Sequence, residues 1–203
     1  MHHTQILRQS VRLLLSGLLF FSGGCVHRIH VSPAPPAVST APLAQSLQVI
    51  VPFLAVEGAD RMPGIALFEW PAQDLRSAVI SYIHSRQTFA SASEKPADLT
   101  MTVKAWLRLR ADDRYHYRLR LETTLSLPKT PQTFGSLEKP PIEKPPIEKP
   151  LKSYLVEKDA AGQEVRWSTA SDQIPIAEAV QAALDDLLTQ IEADPPRVSK
   201  QSN

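Results

Sequence analysis

The sequence predicts an α+β fold: a two-layer domain in which a mostly antiparallel sheet carries two helices on one face, in the order β-α-β-β-β-β-α. Three observations carry this expectation. Residues 99–110 alternate strictly between apolar and polar, and residues 115–125 repeat the alternation after an Ala111-Asp112-Asp113 turn. Two stretches with apolar residues at helical spacing lie on either side of that hairpin.

The elements follow in chain order. Leu47 to Leu54 is rich in β-formers, and Pro52 within it suggests an edge or a strand end. Gly58, Pro63 and Gly64 punctuate a loop. Pro71 suits the first turn of a helix whose Leu75, Ala78, Val79, Tyr82, Ile83 and Arg86 recur at helical spacing. Pro96 and Asp98 end that pattern. In the hairpin, Leu99, Met101, Val103, Ala105, Leu107 and Leu109 share one side with Tyr115, Tyr117, Leu119, Leu121 and Leu125 of the return strand. A second hairpin is expected over Lys152–Lys158 and Glu164–Thr169, turning at Asp159-Ala160-Ala161-Gly162, with Val165 and Trp167 pointing one way. The closing helix starts near Pro175, buries Ile176, Val180, Ala183, Leu184, Leu187, Leu188 and Ile191, and stops before Pro195-Pro196.

The 203 residues contain 18 prolines against 7 glycines, a formal charge of +1 and one cysteine. The cysteine count excludes an internal disulfide and a cysteine-rich zinc site, and the charge gives no global basic excess for nucleic acid. Proline is concentrated outside the predicted core. Residues 25–45, with Ser32-Pro33-Ala34-Pro35-Pro36-Ala37, read as a tether that lifts the domain up to roughly 60 Å from its anchor. Residues 128–150 read as a polyproline-II insert built on a repeated Glu-Lys-Pro-Pro-Ile unit, and residues 195–203 as a frayed tail. The folded domain is then 46–194.

No GxxxxGK[ST], GxGxxG, HExxH, GxSxG or CxxC occurs. The chain is therefore read as non-catalytic, with no cofactor and no metal. His27 and His30 are three apart, but the prolines after them argue against a helical metal site. His84 reads as a charge complement to the end of the first helix. Glu57 with Asp60 in the loop after the first strand, and Asp112 with Asp113 in the hairpin turn, are pairs of the kind that acid/base catalysis uses, but the sequence gives no separation and turn chemistry alone explains Asp112-Asp113.

The hairpin's polar side is the candidate binding surface: Lys104, Trp106, Arg108, Arg110, His116, Arg118 and Arg120. A turn centred on Asp112 places Arg110 opposite Arg114, Arg108 opposite His116, Trp106 opposite Arg118 and Lys104 opposite Arg120. That is a cationic ladder. It calls for acidic neighbours such as Glu157 or Glu164, or for an anionic partner, with a cation-π contact between Trp106 and Arg118.

Arg8 and Arg12 precede an apolar run, Leu13 to Phe21, too short to cross a bilayer that needs about 20 residues. Residues 1–24 thus read as a signal peptide. The run ends in Ser22-Gly23-Gly24-Cys25, which resembles the lipobox of bacterial lipoproteins. The resemblance implies lipidation of Cys25, with diacylglycerol on its sulfur and an acyl chain such as palmitate on the new amino terminus. Val26 stands where an aspartate would imply retention at the inner membrane. The implied location is the outer membrane, periplasmic side, where nucleic acid is not met.

Asp60-Arg61, Ile65, Phe68-Glu69-Trp70 and the Leu184–Ile191 stripe resemble the auxiliary lipoproteins of ABC-type lipid-transport systems. That resemblance implies a non-catalytic accessory of an ABC/MCE-type transport complex. A more distant resemblance, through the mixed strand and helix core, is to lipoprotein activators of peptidoglycan synthases and the curli-secretion lipoprotein domain. It implies a scaffold or activator of a cell-wall or secretion complex.

Overall fold

The computed structural model describes residues 26–34, 36–58, 67–128, 150–164 and 173–196. The signal peptide, Cys25, Asp60, Arg61, Ile65, most of the proline-rich insert, Val165, Trp167 and the end of the tail lie outside them. The elements are β1 (Val26–Arg28), β2 (Leu43–Glu57), β3 (Leu67–Glu69), α1 (Ala72–Arg86), β4 (Phe89–Ser93), β5 (Leu99–Ala111), β6 (Arg114–Ser126), β7 (Lys152–Glu164) and α2 (Gln173–Ala193).

The main sheet runs β4-β2-β5-β6-β7, so with the helices its order is β-α-β-β-β-β-α. β2 pairs in parallel with both β4 and β5, whereas β5–β6 and β6–β7 are antiparallel. The sheet is therefore mixed rather than mostly antiparallel. Its parallel half arises because α1 returns the chain to the end of the sheet where β2 began, so that β4 starts there and runs in the same direction. Phe89-Ala90-Ser91-Ala92-Ser93 has little β-propensity, and tertiary pairing to Leu43–Gln48 makes it a strand.

One face of this sheet is dry. Leu99, Met101, Val103, Ala105 and Leu107 of β5 and Leu119, Leu121 and Leu125 of β6 are wholly buried, as the alternation predicts. Covering each Leu, Met or Val among these contributes about 1.5–3 kcal/mol. α1 lies over β2 and β4, and α2 over β7 and β6. Leu75, Ala78, Val79, Tyr82 and Ile83 of α1 and Ile176, Val180, Ala183, Leu184, Leu187, Leu188 and Ile191 of α2 face inward.

A part-buried ion-pair network joins the two helices. The Arg86 guanidinium donates to both carboxylate oxygens of Glu192, at 2.9 and 3.0 Å, and to Asp185 at 3.0 Å, while the Thr88 hydroxyl donates to Glu192 at 2.9 Å. Arg86 ends the helical pattern as an apolar-face residue because its stem packs there while its head reaches across to α2.

β2 is longer than the predicted Leu47–Leu54 and is an interior strand where it pairs with both neighbours. Pro52 sits in a bulge: the β2–β5 register shifts between Ile50 and Phe53, beyond the last described β4 pairing at Gln48–Ser93. A residue without an N–H is tolerated there because the ladder is already interrupted. The bulge also resets the alternation. Leu47, Val49, Val51, Leu54 and Val56 pack on the core, whereas Ile50 and Phe53 are exposed on the other face.

The expected second hairpin is not formed at Asp159–Gly162. Asp159, Ala160 and Ala161 continue β7 opposite Arg118, Tyr117 and His116, and the β6–β7 register shifts between Arg114 and His116. Gly162 marks that irregularity rather than a turn. A Cβ on it would lie 2.8 Å from the Tyr117 ring and 3.0 Å from the Tyr115 Cβ, so the glycine permits a close approach of the two strands.

The stretch expected to be a tether lies against the domain. Ile29 and Val31 are 0% and 3% exposed and belong to the core, and β1 pairs with β3 in a small parallel ribbon. Ser39 N–H donates to Arg86 O at 2.6 Å and Leu43 N–H to Thr88 O at 2.7 Å. Sparse apolar residues suffice here because they fill one seam of an existing core instead of building their own.

Gly58 ends β2 with φ +81°, and a Cβ built on it would fall 2.2 Å from the Leu109 carbonyl oxygen. Gly58→Ala is therefore expected to destabilise the domain by about 1–3 kcal/mol, read as a lower urea midpoint at unchanged slope.

Candidate functional site

The helices cover one face of the sheet and leave the other in water. Every residue singled out from the sequence, Lys104, Trp106, Arg108 and Arg110 on β5 and His116, Arg118 and Arg120 on β6, lies on that outer face. The alternation of β5 and β6 requires it, since their other sides are buried.

The register differs from the expected one by two residues, because the turn centres on Asp113. Arg110 faces His116, Arg108 faces Arg118, Trp106 faces Arg120 and Lys104 faces Glu122. The cationic ladder is thus reduced to one Arg108–Arg118 pair and the Arg110–His116 pair. The flanking strands supply the acids: Glu57 of β2 lies 2.9 Å from Arg108, and Asp159 of β7 lies 2.7 Å from Arg118. Arg120 pairs with Glu122 and, at 3.8 Å, with Glu157, while Arg110 pairs with Asp112 at 3.0 Å. Of the acids expected to offset the ladder, Glu157 does so. Glu164 is opposite Arg114 in the backbone register.

The Arg118–Asp159 pair is a two-point contact, at 2.7 and 3.3 Å, and the carboxylate beside it raises the guanidinium above its ordinary pKa. Arg108 likewise gives two N–H groups to one Glu57 oxygen. These arginines are held in place by carboxylates on the strands either side, and the outer face is a charge-balanced mosaic rather than a positive field.

Trp106 stands at the centre. Its ring lies 5.3 Å from Phe53 at a tilt of 48°, and the guanidinium carbon of Arg120, not of Arg118, stacks 5.5 Å from its centroid. Phe53 and Ile50 extend the apolar surface, and both are exposed. The sequence alone hides Phe53 from this site, because strict alternation without the bulge at Pro52 would misplace the residues after it.

Two open cavities adjoin on this face. One, of about 330 Å³, is lined by Trp106, Arg120, Glu122 and Glu157 together with Glu57, Arg108 and Arg118; the other, of about 460 Å³, by Arg110, Asp112, His116 and Asp159 together with Arg108 and Arg118. Arg108 and Arg118 are common to both, so the two form one open groove crossing four strands, from Glu57 of β2 to Glu157 and Asp159 of β7.

Several titratable residues away from this face have structural partners. His84, in the last turn of α1, also has its Nε2 2.6 Å from Ala92 O on β4, bridging helix to strand, and His30 lies 3.5 Å from Asp74. Trp70 is buried, and Glu69 pairs with Arg28 at 3.3 Å. Among the described residues no group of three or more His, Cys, Asp or Glu is placed to hold a metal ion. No described helix is long and apolar enough to cross a membrane.

No family model matches the sequence, and no curated protein does. The structure is similar to that of a Xanthomonas campestris protein of family DUF330, at 13% identity and TM-score 0.50, covering 83% of this chain and 95% of that one. A hypothetical protein from Chlamydia trachomatis matches at 7% identity and TM-score 0.45, covering 74% of this chain and 96% of that one. A minor lipoprotein from Acinetobacter baumannii matches at 12% identity and TM-score 0.39, covering 73% and 93%. At these identities the likeness is one of fold, and the first match carries it.

Proposed function

We propose that this chain is a non-catalytic lipoprotein, anchored through Cys25 to the periplasmic side of the outer membrane, that serves as an accessory of an ABC/MCE-type lipid-transport complex. Ser22-Gly23-Gly24-Cys25 after a short apolar run supports the anchor. The resemblance over Phe68-Glu69-Trp70 and the closing helix supports the transport role.

The observation that carries the reading is the bare outer face of the sheet. A central tryptophan beside exposed Phe53 and Ile50, ringed by arginines already fixed to carboxylates, has the anatomy of a protein interface. Its occupant is a protein subunit of the complex with a mixed-charge surface. A balanced mosaic selects partners by registering both signs, and it gives register more than raw attraction.

Trp106→Ala is expected to weaken co-purification with transport components from detergent-solubilised envelopes by about 30-fold or more, the loss of a hot-spot aromatic, while flotation with membranes is kept. A photocrosslinker at Trp106 in intact cells is expected to trap one such component. Recovery of unlinked protein alone rejects the outer face as the interface, and capture of a cell-wall synthase instead of a transport subunit moves the chain to the scaffold reading.

A further inference from the structure

The anchor reading carries a distance. β1 begins at Val26, the residue directly after Cys25, and its Cα is paired with Leu67 of β3. Three residues further, Ile29 is wholly buried and donates its N–H to Glu69 O at 2.8 Å, and Val31 is buried after it. Further along, Ser39 N–H donates to Arg86 O at the end of α1, and Leu43 N–H, at the start of β2, to Thr88 O. Val26 to Val31, the described residues next to Cys25, are therefore not a free spacer.

From these observations we infer that the lipidated protein holds its β1–β3 ribbon and the N-terminal end of α1 directly against the headgroup layer of the leaflet that contains its acyl chains. The inference rests on the lipidation of Cys25. Four residues from Cys25 to Ile29, even fully extended, span at most about 14 Å, against the roughly 60 Å that a free tether of some twenty residues reaches. The domain is thereby fixed in place and not merely tethered.

The chemistry of the apposed end says how it is held. Arg28 is paired with Glu69, and His30 with Asp74 at the start of α1. Among the described residues of this end Arg28 is thus offset by Glu69, so the apposition is ascribed to covalent length rather than to attraction to anionic lipid. It is therefore expected to persist in neutral bilayers and in high salt, which screens surface charge.

The test uses the acylated full-length chain in phosphatidylcholine vesicles that carry an energy acceptor on the headgroups. A donor dye is placed at Arg28→Cys or at Ala41→Cys, the second near the far end of the docked segment. Transfer from position 28 is expected to exceed that from position 41, to be unchanged in molar salt, and to fall severalfold when twenty Gly/Ser residues are inserted between Cys25 and Val26. Equal, weak transfer from both positions in protein that floats with the vesicles overturns the apposition and leaves the anchor standing. Protein whose N-terminal peptide lacks acyl mass and that does not float overturns the anchor itself.

Discussion

Glu192→Ala is expected to lower the unfolding free energy by about 2–4 kcal/mol, because it removes the two-point contact to the part-buried Arg86 guanidinium and leaves it the more exposed Asp185. Both side chains are only 13% exposed, and Arg86 engages the two carboxylate oxygens of Glu192 together. Urea unfolding followed by far-UV circular dichroism measures the loss. The double variant Arg86→Met, Glu192→Leu is expected to recover most of it, since the desolvation cost of both charges then disappears. A Glu192→Ala loss under about 1 kcal/mol would mean that the pair is solvated and that the two helices are joined by packing alone.

The same pair fixes the direction of the acid response. The hydrogen bonds from Arg86 hold the Glu192 carboxyl below its ordinary value of 4.5, and Lys158 does the same for Asp186 below 3.8. A depressed folded-state pKa stabilises fully above the unfolded value and is lost as pH falls through the folded one. Stability is therefore expected to decline below about pH 4.5, and Glu192→Gln to flatten that decline. At the alkaline end, burial pushes the Tyr154 hydroxyl up to about 12, so that group stays neutral through the physiological range.

What the sequence discloses and what it hides divide along physical lines. Period-two alternation in β5 and β6 and period-3.6 stripes in α1 and α2 reflect burial on one side only, and burial on one side is written in the residues themselves. Hairpin register is not so written. Asp112 and Asp113 are equally good turn residues, and moving the centre by one position shifts every cross-strand partner by two without turning any side chain to the other face. Hence the outer-face residues were legible as a set, while their partners, and with them the balance of charge, were not. Phe53 joined the set only through the bulge at Pro52, and β4 only through its pairing with β2, both of which depend on residues far along the chain.

Ile29→Ala is expected to destabilise the domain by about 2–5 kcal/mol, the cost of truncating a core aliphatic residue and leaving a cavity. The setting is a segment whose Pro, Ala and Ser content argues against packing, yet Ile29 is 0% exposed while Val38, nine residues on, is 59% exposed. Val38→Ala is thus the internal control, expected within about 0.5 kcal/mol of the parent. Both are measured by urea unfolding of the soluble chain beginning at Val26. A real difference between them makes residues 26–42 part of the folding unit, so that the domain is wider than 46–194 and the proline-rich segment is its first structural layer. Equal, negligible effects would return the segment to the role of a tether and remove the premise of membrane apposition. The contrast also explains why composition misled: a short segment needs only two well-placed aliphatic side chains and a few backbone hydrogen bonds to offset its ordering, because prolines have already reduced the entropy it has to lose.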